Sequence, residues 1–414
     1  MMQEPQSGSA HTTAVVHAGF IPLTDCAPLV IAKELAFDAA HGIELQLHKD
    51  VSWANIRDRA EAGLLDCAIM LAPMPLASTL GLGGRRPVDM IATMATSLNG
   101  NAITVSRALY EEMRGADRGN LERGGMAAAQ SLASVIKQRQ LSGQPPLTFG
   151  MVYPFSSHNY DLRYWLAEAG IDPENDVNLV VVPPPLIAGS LKSQDIDGFC
   201  VGEPWNSVAV AEGTGVIVAT KSELWPGSPE KVLGMRAAYA AENPDTVRRL
   251  TAAVLDACAW LDDEANRRAA AEILARPQFV GIAREILEPA LTDELLRGGN
   301  GAQAPVRDAI IFSRNNANRP RTDHATWMLT QMIRWGQVRT PFDIAAVARA
   351  VYRADIFSDA HDGGSPMAVD QGGEGEATFF GGAAFDAEHP LAYLEGLVMR
   401  DRSVDLAGFA SAKA

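Results

Sequence analysis

The chain has 414 residues, 47% of them hydrophobic and 21% charged, with a formal net charge of -15 at pH 7. That length accommodates two or three domains or lobes with more than one substantial core, in an ordinary globular composition. The acidic balance, with no long basic run to offset it, argues against nonspecific binding to nucleic acid or to an anionic membrane surface.

The first residues, MMQEPQSGSAHTTAVVHAGF, carry no basic n-region and no apolar h-region of signal-peptide length. The expectation is a disordered start over 1–12 and a protein that stays in the cytoplasm. No apolar run reaches the roughly 18 residues of a membrane span. Ala14 to Ala18 reads as a short strand, followed by the loop GFIPLTDCAP and a helix from Leu29 to His41 that Gly42 closes. Ile43, Leu45 and Leu47 alternate with polar residues as a second strand, and Trp53 opens the next helix. Strand, helix, strand, helix is the signature of a wound parallel sheet, and it continues through strands at Asp66 to Met70 and Met90 to Met94.

At Leu98 to Ser106 an Asn-Gly turn leads into another strand, and the polar, weakly periodic text beyond it marks a crossing between lobes. Strands near Leu147 to Tyr153, Val177 to Val182 and Ile196 to Val201, with a helix from Asn159 to Ala169, predict a second α/β lobe. From Ala237 the chain reads as helical, with helices continuing to Ala354. A loop-rich tail from Ser358 to Gly375 then precedes FFGGAAFD and a last helix around Pro390 to Met399. The predicted architecture is α/β and two-lobed: 13–105 and 235–414 form lobe I, and 106–234 form an inserted lobe II. Hinged clefts between such lobes close around small ligands.

Four cysteines, Cys26, Cys67, Cys200 and Cys258, are widely spaced without a CxxC, so neither a zinc site nor a disulfide framework is suggested, and their apolar settings place them in the core. The run GFCVGEPWN ends an apolar strand at Gly202, Glu203, Pro204 and Trp205, and in an open α/β sheet ligands sit at strand ends. Ser156, Ser157 and His158 lie between a strand and a helix, where helix-end amides can hold an anion and where a serine or Asn159 can equally be a simple cap. Lys231, in the Pro-rich segment LWPGSPEKVLGM, is either a solvated connector lysine or a cation facing the cleft. Trp53 is either a packing residue or an indole donor, and Asn101 either turn chemistry or a ligand contact.

Together VHAGFIPLTDCAPLVIA, LNGNAITVS, SSHNYDLRYWLAEAGIDPENDVNLVVVPPP, GFCVGEPWN, LWPGSPEKVLGMRAAY and FFGGAAFDAEHPLAYL resemble the nitrate and bicarbonate solute-binding receptors of ABC transporters. The resemblance covers nearly the whole chain. It implies a periplasmic-binding-protein-like (type II) fold, no enzymatic activity, and an anion pocket at Trp53, Asn101, His158 and Lys231, with Ser156, Ser157, Gly202, Glu203, Pro204 and Trp205 behind it or in the cleft wall. Transport receptors of the family carry glutamine where Asn101 stands. Bicarbonate relatives use an acidic residue with calcium at the charged position, so Lys231 implies a monovalent anion, nitrate or nitrite, bound without metal or cofactor. Without a leader, the resemblance points to the family's cytoplasmic nitrate-sensor branch, whose partner is a NasT-like antitermination regulator that binds RNA. The alternatives are a receptor delivering nitrate to an ABC transporter and an enzyme similar to thiamine-pyrimidine synthases, with Cys200 and His158 as its reactive pair.

Overall fold

The computed structural model describes residues 13–299, 306–361, 379–382, 384–400 and 404–412. The expected disordered start over 1–12 and most of the expected loop-rich tail lie outside the described residues, and Ser358 of that tail belongs to the helix Ala354–His361. In chain order the strands are β1 (Ala14–Phe20), β2 (Ile43–Lys49), β3 (Cys67–Leu71), β4 (Met90–Asn99), β5 (Asn101–Ser106), β6 (Leu147–Met151), β7 (Val177–Val181), β8 (Gly198–Gly202), β9 (Gly215–Thr220), β10 (Pro229–Arg236) and β11 (Ile310–Ile311).

One sheet has the order β11-β4-β10-β3-β1-β2 and the other β7-β6-β8-β5-β9. This is the mixed α/β architecture of a two-lobed binding protein. β2, at the edge of its sheet, buries Ile43 and Leu45 and exposes Glu44 and Gln46, which is the alternation read from the sequence. β3, β4, β8 and β9 are buried along their whole length because helices cover both faces of each sheet. The helix expected over Leu29 to His41 divides into Ala27–Glu34 and Phe37–Ala40, since Ala36 takes a left-handed φ of 60° between them.

Both sheets are parallel apart from the crossing strands β5 and β10 and the short edge strand β11, which pairs antiparallel with β4. β1 runs parallel to β2 and β3, and β6 parallel to β7 and β8. β10 is antiparallel to β3 and β4, and β5 is antiparallel to β8 and β9. A strand arriving from the other lobe enters at the cleft and runs away from it, so β5 and β10 present their N-terminal ends where their neighbours present C-terminal ends. The crossing itself is tight: Asn99 and Gly100 both adopt positive φ, and Asn99 Oδ1 accepts from the amides of Gly227 and Ser228, in the turn just before β10.

These pairings move the lobe boundaries. Residues 101–105, expected in lobe I, pair within the second sheet as β5, and residues 229–234, expected in lobe II, pair within the first as β10. The Pro-rich connector is thus a buried strand inside a sheet. Pro229 is tolerated as its first residue, and Glu230 and Lys231, which break the apolar pattern in the sequence, are buried against opposite charges. The weakly periodic text after Ser106 is two helices, Arg107–Arg123 and Gly125–Leu141.

The C-terminal segment, expected to complete lobe I, fastens both lobes. On the lobe I side, the Tyr352 hydroxyl donates to Ala72 O at 2.8 Å and the Arg353 amide to Ala92 O at 3.0 Å. On the lobe II side, the Tyr160 hydroxyl donates to Gln337 Oε1 at 2.7 Å, and Gln337 Nε2 donates to Pro154 O at 2.8 Å. Trp327, on the helix Thr322–Arg334, packs against Trp225 with ring centroids 4.7 Å apart, and Phe380 lies 4.3 Å from Tyr164.

Candidate functional site

The ends of seven strands converge between the sheets. Trp53, the first residue of the helix Trp53–Glu61, follows β2, and Asp25 follows β1. His158, Ser157 and Asp161, on the helix Ser157–Glu168, follow β6; Lys221 follows β9; Gly202 ends β8. Asn101 begins β5, opposite Gly202, and Glu230 and Lys231 lie near the start of β10.

Four of the expected site residues meet here: Asn101, His158 and Lys231 around Glu230, and Trp53 beside Lys231. Lys231 Nζ lies 2.6 Å from Glu230 Oε1 and 2.8 Å from Asp25 Oδ2, and 5.4 Å from the centre of the Trp53 ring. Asn101 Nδ2 donates to Glu230 Oε2 at 2.5 Å and to Asp161 Oδ2 at 3.3 Å. Ser157 Oγ donates to Glu230 Oε2 at 2.5 Å, and Lys221 Nζ reaches Asp161 Oδ2 at 2.7 Å and Glu230 Oε2 at 3.3 Å. The cleft is shut, with Trp53 1% and His158 and Lys231 0% exposed. At its rim Arg57 of lobe I donates to the Tyr153 hydroxyl of lobe II at 2.5 Å.

Lys231 is therefore a paired ammonium inside a sheet, which neither reading of a connector lysine anticipated. Burial alone would lower its pKa, but the Asp25 and Glu230 carboxylates outweigh burial and hold the ammonium above its ordinary range. Burial pushes Glu230 up, yet Lys231 and its other donors bring the carboxyl well below the usual carboxylate range. Asp25 has less support: burial raises it to about 6, against the pull of Lys231. Asp161 rises to about 6 for the same reason, despite Lys221. Burial takes His158 down to about 3, so the imidazole is neutral at pH 7.

Several buried polar atoms at this convergence lack an aligned hydrogen-bond partner: Trp53 Nε1, both ring nitrogens of His158, Asn101 Oδ1, Asp161 Oδ1 and both Asp25 oxygens. His158 Nε2 is 3.3 Å from Glu230 Oε1, and Asp25 Oδ2 is 2.8 Å from Lys231 Nζ, but neither contact has hydrogen-bond geometry. Orphaned buried donors in a native fold call for an explanation, because each costs about 1–3 kcal/mol when nothing pairs with it.

Ser157 joins the cluster through Glu230, and the other remaining expected residues are structural. Ser156 is the N-cap of its helix, its hydroxyl oxygen accepting from the Asn159 amide at 3.0 Å. Glu203 turns away from the cluster: its Oε2 accepts from the Ser207 amide at 3.1 Å, and burial raises its carboxyl to about 7. Its backbone oxygen accepts from the Thr24 amide at 2.8 Å, and Trp205 Nε1 donates to Pro22 O at 3.1 Å. Through these contacts GEPW, with Pro204 after a cis peptide bond, holds lobe II against the loop after β1. Gly202 leaves room for the cluster, since a Cβ there would stand 3.3 Å from Asp25 Oδ2.

Sequence reading missed Asp25, Asp161, Lys221 and Glu230. Each had a signal: Asp25 and Lys221 lie just past strand ends, Asp161 is one helical turn from His158, and Glu230 adjoins Lys231.

All four cysteines are free and buried. Burial pushes the Cys200 thiol well above its ordinary range, so it offers no thiolate to pair with a neutral His158. A disulfide-exchange reagent is expected to label none of the four thiols in the folded protein over minutes and all four in denaturant. Rapid stoichiometric labelling of Cys200 in the native state would reopen the enzyme reading.

Residues 9–275 match the NMT1-like family. The chain belongs to that family, among its nitrate/bicarbonate solute-binding proteins. It is 38% identical over 395 residues to the nitrate import ATP-binding protein NrtC of Synechocystis sp., covering 95% of this chain and 56% of that one. It is 35% identical over 394 residues to the bicarbonate transport ATP-binding protein CmpC of Synechococcus elongatus, covering 93% of this chain and 55% of the relative. The chain thus spans about half the length of these curated relatives. Among solved structures, the periplasmic nitrate-binding protein NrtA from Synechocystis superposes with a TM-score of 0.85 at 30% identity, covering 94% of this chain and 99% of that one. For this NMT1-like member the two-lobed fold follows from that superposition, and the names of these relatives describe nitrate import, bicarbonate transport and nitrate binding.

Proposed function

We propose that this NMT1-like protein is a receptor that binds nitrate between its lobes and delivers it to an ABC-type importer. The observation that carries the reading is the pair of orphaned buried donors at this convergence, Trp53 Nε1, whose ring lies beside the Lys231 ammonium, and the His158 imidazole, beside the Glu230 carboxylate that Lys231 pairs with. Nitrate is small, planar and singly charged and only accepts hydrogen bonds, so it matches donors left unpaired around a cation. In a closed cleft the pairing gains strength because water is excluded. The similarity to NrtC and NrtA supports nitrate, and the transport roles in their names support delivery. CmpC is nearly as similar, and Lys231 favours nitrate over bicarbonate because the resemblance implies an acidic residue with calcium there in bicarbonate relatives.

Calorimetric titration with nitrate, nitrite and bicarbonate tests the reading. Saturable nitrate binding is expected, and Trp53→Phe, which keeps the ring but removes the N–H, should weaken it about tenfold or more, the worth of a hydrogen bond to a charged acceptor. Unchanged affinity in Trp53→Phe would remove the indole from the site, and no binding of any of the three anions would end the reading.

The cytoplasmic sensor resembling NasS, with its NasT-like regulator, shares this pocket and differs in its partner. It rests on the sequence resemblance alone, whereas the transport reading also has the named relatives behind it. Co-elution of a NasT-like regulator with the ligand-free protein, and its release by nitrate, would reverse that preference.

A further inference from the structure

Two ammonium groups, Lys221 and Lys231, face three carboxylates, Asp25, Asp161 and Glu230, in the shut cleft. With His158 neutral and the neighbouring Cys200 and Tyr352 held protonated by burial, the ionised cluster carries one negative charge in excess before any ligand arrives. Its hydrogen bonding is skewed the same way. The acceptors without any partner are Asp25 Oδ1, Asp161 Oδ1 and Asn101 Oδ1, and Asp25 Oδ2 has only its ionic contact with Lys231, while the unpaired donors are Trp53 Nε1 and the one N–H of a neutral imidazole. An anion that only accepts would add charge of the wrong sign and more acceptors to a site already rich in both, and a buried charge without a partner is strongly unfavourable.

From this geometry, and resting on the anion-binding reading above, we propose that the site takes up one proton from solvent with each anion it binds, and that Asp25 carries that proton. The balance is simple. The anion brings one negative charge, and the proton, released by water or buffer acid and bound to an Asp25 oxygen, brings one positive charge, so the net charge of the cluster does not change. Protonated Asp25 turns from acceptor to donor and lets go of Lys231, whose ammonium turns to the anion.

The choice among the three carboxylates follows from their partners. Glu230 is held ionised by Lys231, Lys221, Ser157 and Asn101, and Asp161 by Lys221 and Asn101. Asp25 has Lys231 alone, without hydrogen-bond alignment. The other groups around it do not supply a charge in exchange: Cys26 beside it is held as a thiol by burial, and the Glu203 carboxyl turns to Ser207. Burial raises Asp25 and Asp161 alike to about 6, so the choice between them rests on their hydrogen-bond partners.

Nitrate titrations by calorimetry, in two buffers of different ionisation enthalpy from pH 5.5 to 8.5, count the protons. Close to one proton taken up per nitrate is expected at pH 8, with Kd rising about tenfold per pH unit above pH 6 and levelling off below it. Asp25→Asn should bind nitrate with a flat pH profile and no proton uptake. Saturable binding to the unaltered protein with no buffer dependence overturns the coupling while leaving the receptor reading intact. Uptake that persists in Asp25→Asn overturns the assignment to Asp25. Absence of nitrate binding across the whole range instead sinks the receptor reading and this inference with it. Because the proton count is made on the unaltered protein, a variant that fails to fold does not decide the matter.

Discussion

Lys231→Met is expected to destabilise the protein by about 3–5 kcal/mol and to abolish nitrate binding. Methionine preserves most of the buried stem, so the loss is electrostatic: two buried carboxylates, Asp25 and Glu230, are left facing each other without the ammonium between them, and removing one partner of a buried ion pair costs about that much. The effect depends on pH, and its sign can be worked out. Without Lys231 the folded-state pKa of Asp25 rises further above its unfolded value, so folding then favours the protonated acid and loses stability as pH rises through that window. The deficit should be smaller at pH 5 than at pH 8. Guanidinium unfolding at the two pH values measures it, and a loss below about 1 kcal/mol that is equal at both would show that Lys231 is not what neutralises the cluster.

Trp327→Ala should cost about 3–5 kcal/mol, in the range for truncating a buried aromatic. Trp327 is 1% exposed and touches Trp225, Tyr164 and Phe380, so the cavity would open where the C-terminal segment fastens the two lobes. Loosening that fastening has a local signature beyond the global loss. Amide hydrogen exchange should accelerate in the helices Ser157–Glu168 and Thr322–Arg334 and stay unchanged in β1 and β2, which lie far along the first sheet from the fastening. Uniform acceleration throughout the chain would mean that the segment stabilises the protein as a whole without acting as a clasp between lobes.

The candidate site was legible in part, and the division has a physical origin. Trp53, Asn101 and His158 stand beside punctuation that marks element ends: an N-cap serine, an Asn-Gly turn and a Ser-Ser before a helix. Such punctuation is local, and local signals survive in a single sequence. For Asp25 and Glu230 a strand end and a neighbouring lysine were weaker markers, because what gives a carboxylate its role here is the charge opposite it. Lys231 lies 206 positions from Asp25 in the chain but 2.8 Å away in space, and no periodicity links them. The same reason hid β10: a strand that buries Glu230 and Lys231 does not look apolar, and only the partners make its burial tolerable.

What the sequence determined by itself is the inventory: alternating strands and helices, two lobes, strand ends rich in polar groups, and the tryptophan, histidine and lysine around which the cleft is built. Tertiary structure alone decided three things. It placed β5 and β10 in the opposite lobe from the one expected, because pairing depends on the end from which a crossing strand enters a sheet. It spread the C-terminal segment over both lobes, because aromatic packing is blind to chain order. It turned the presumed free cation into one member of a buried charge cluster, because the ionisation of each group there is set by distance to its neighbours and by exclusion of water, neither of which is written in residue order.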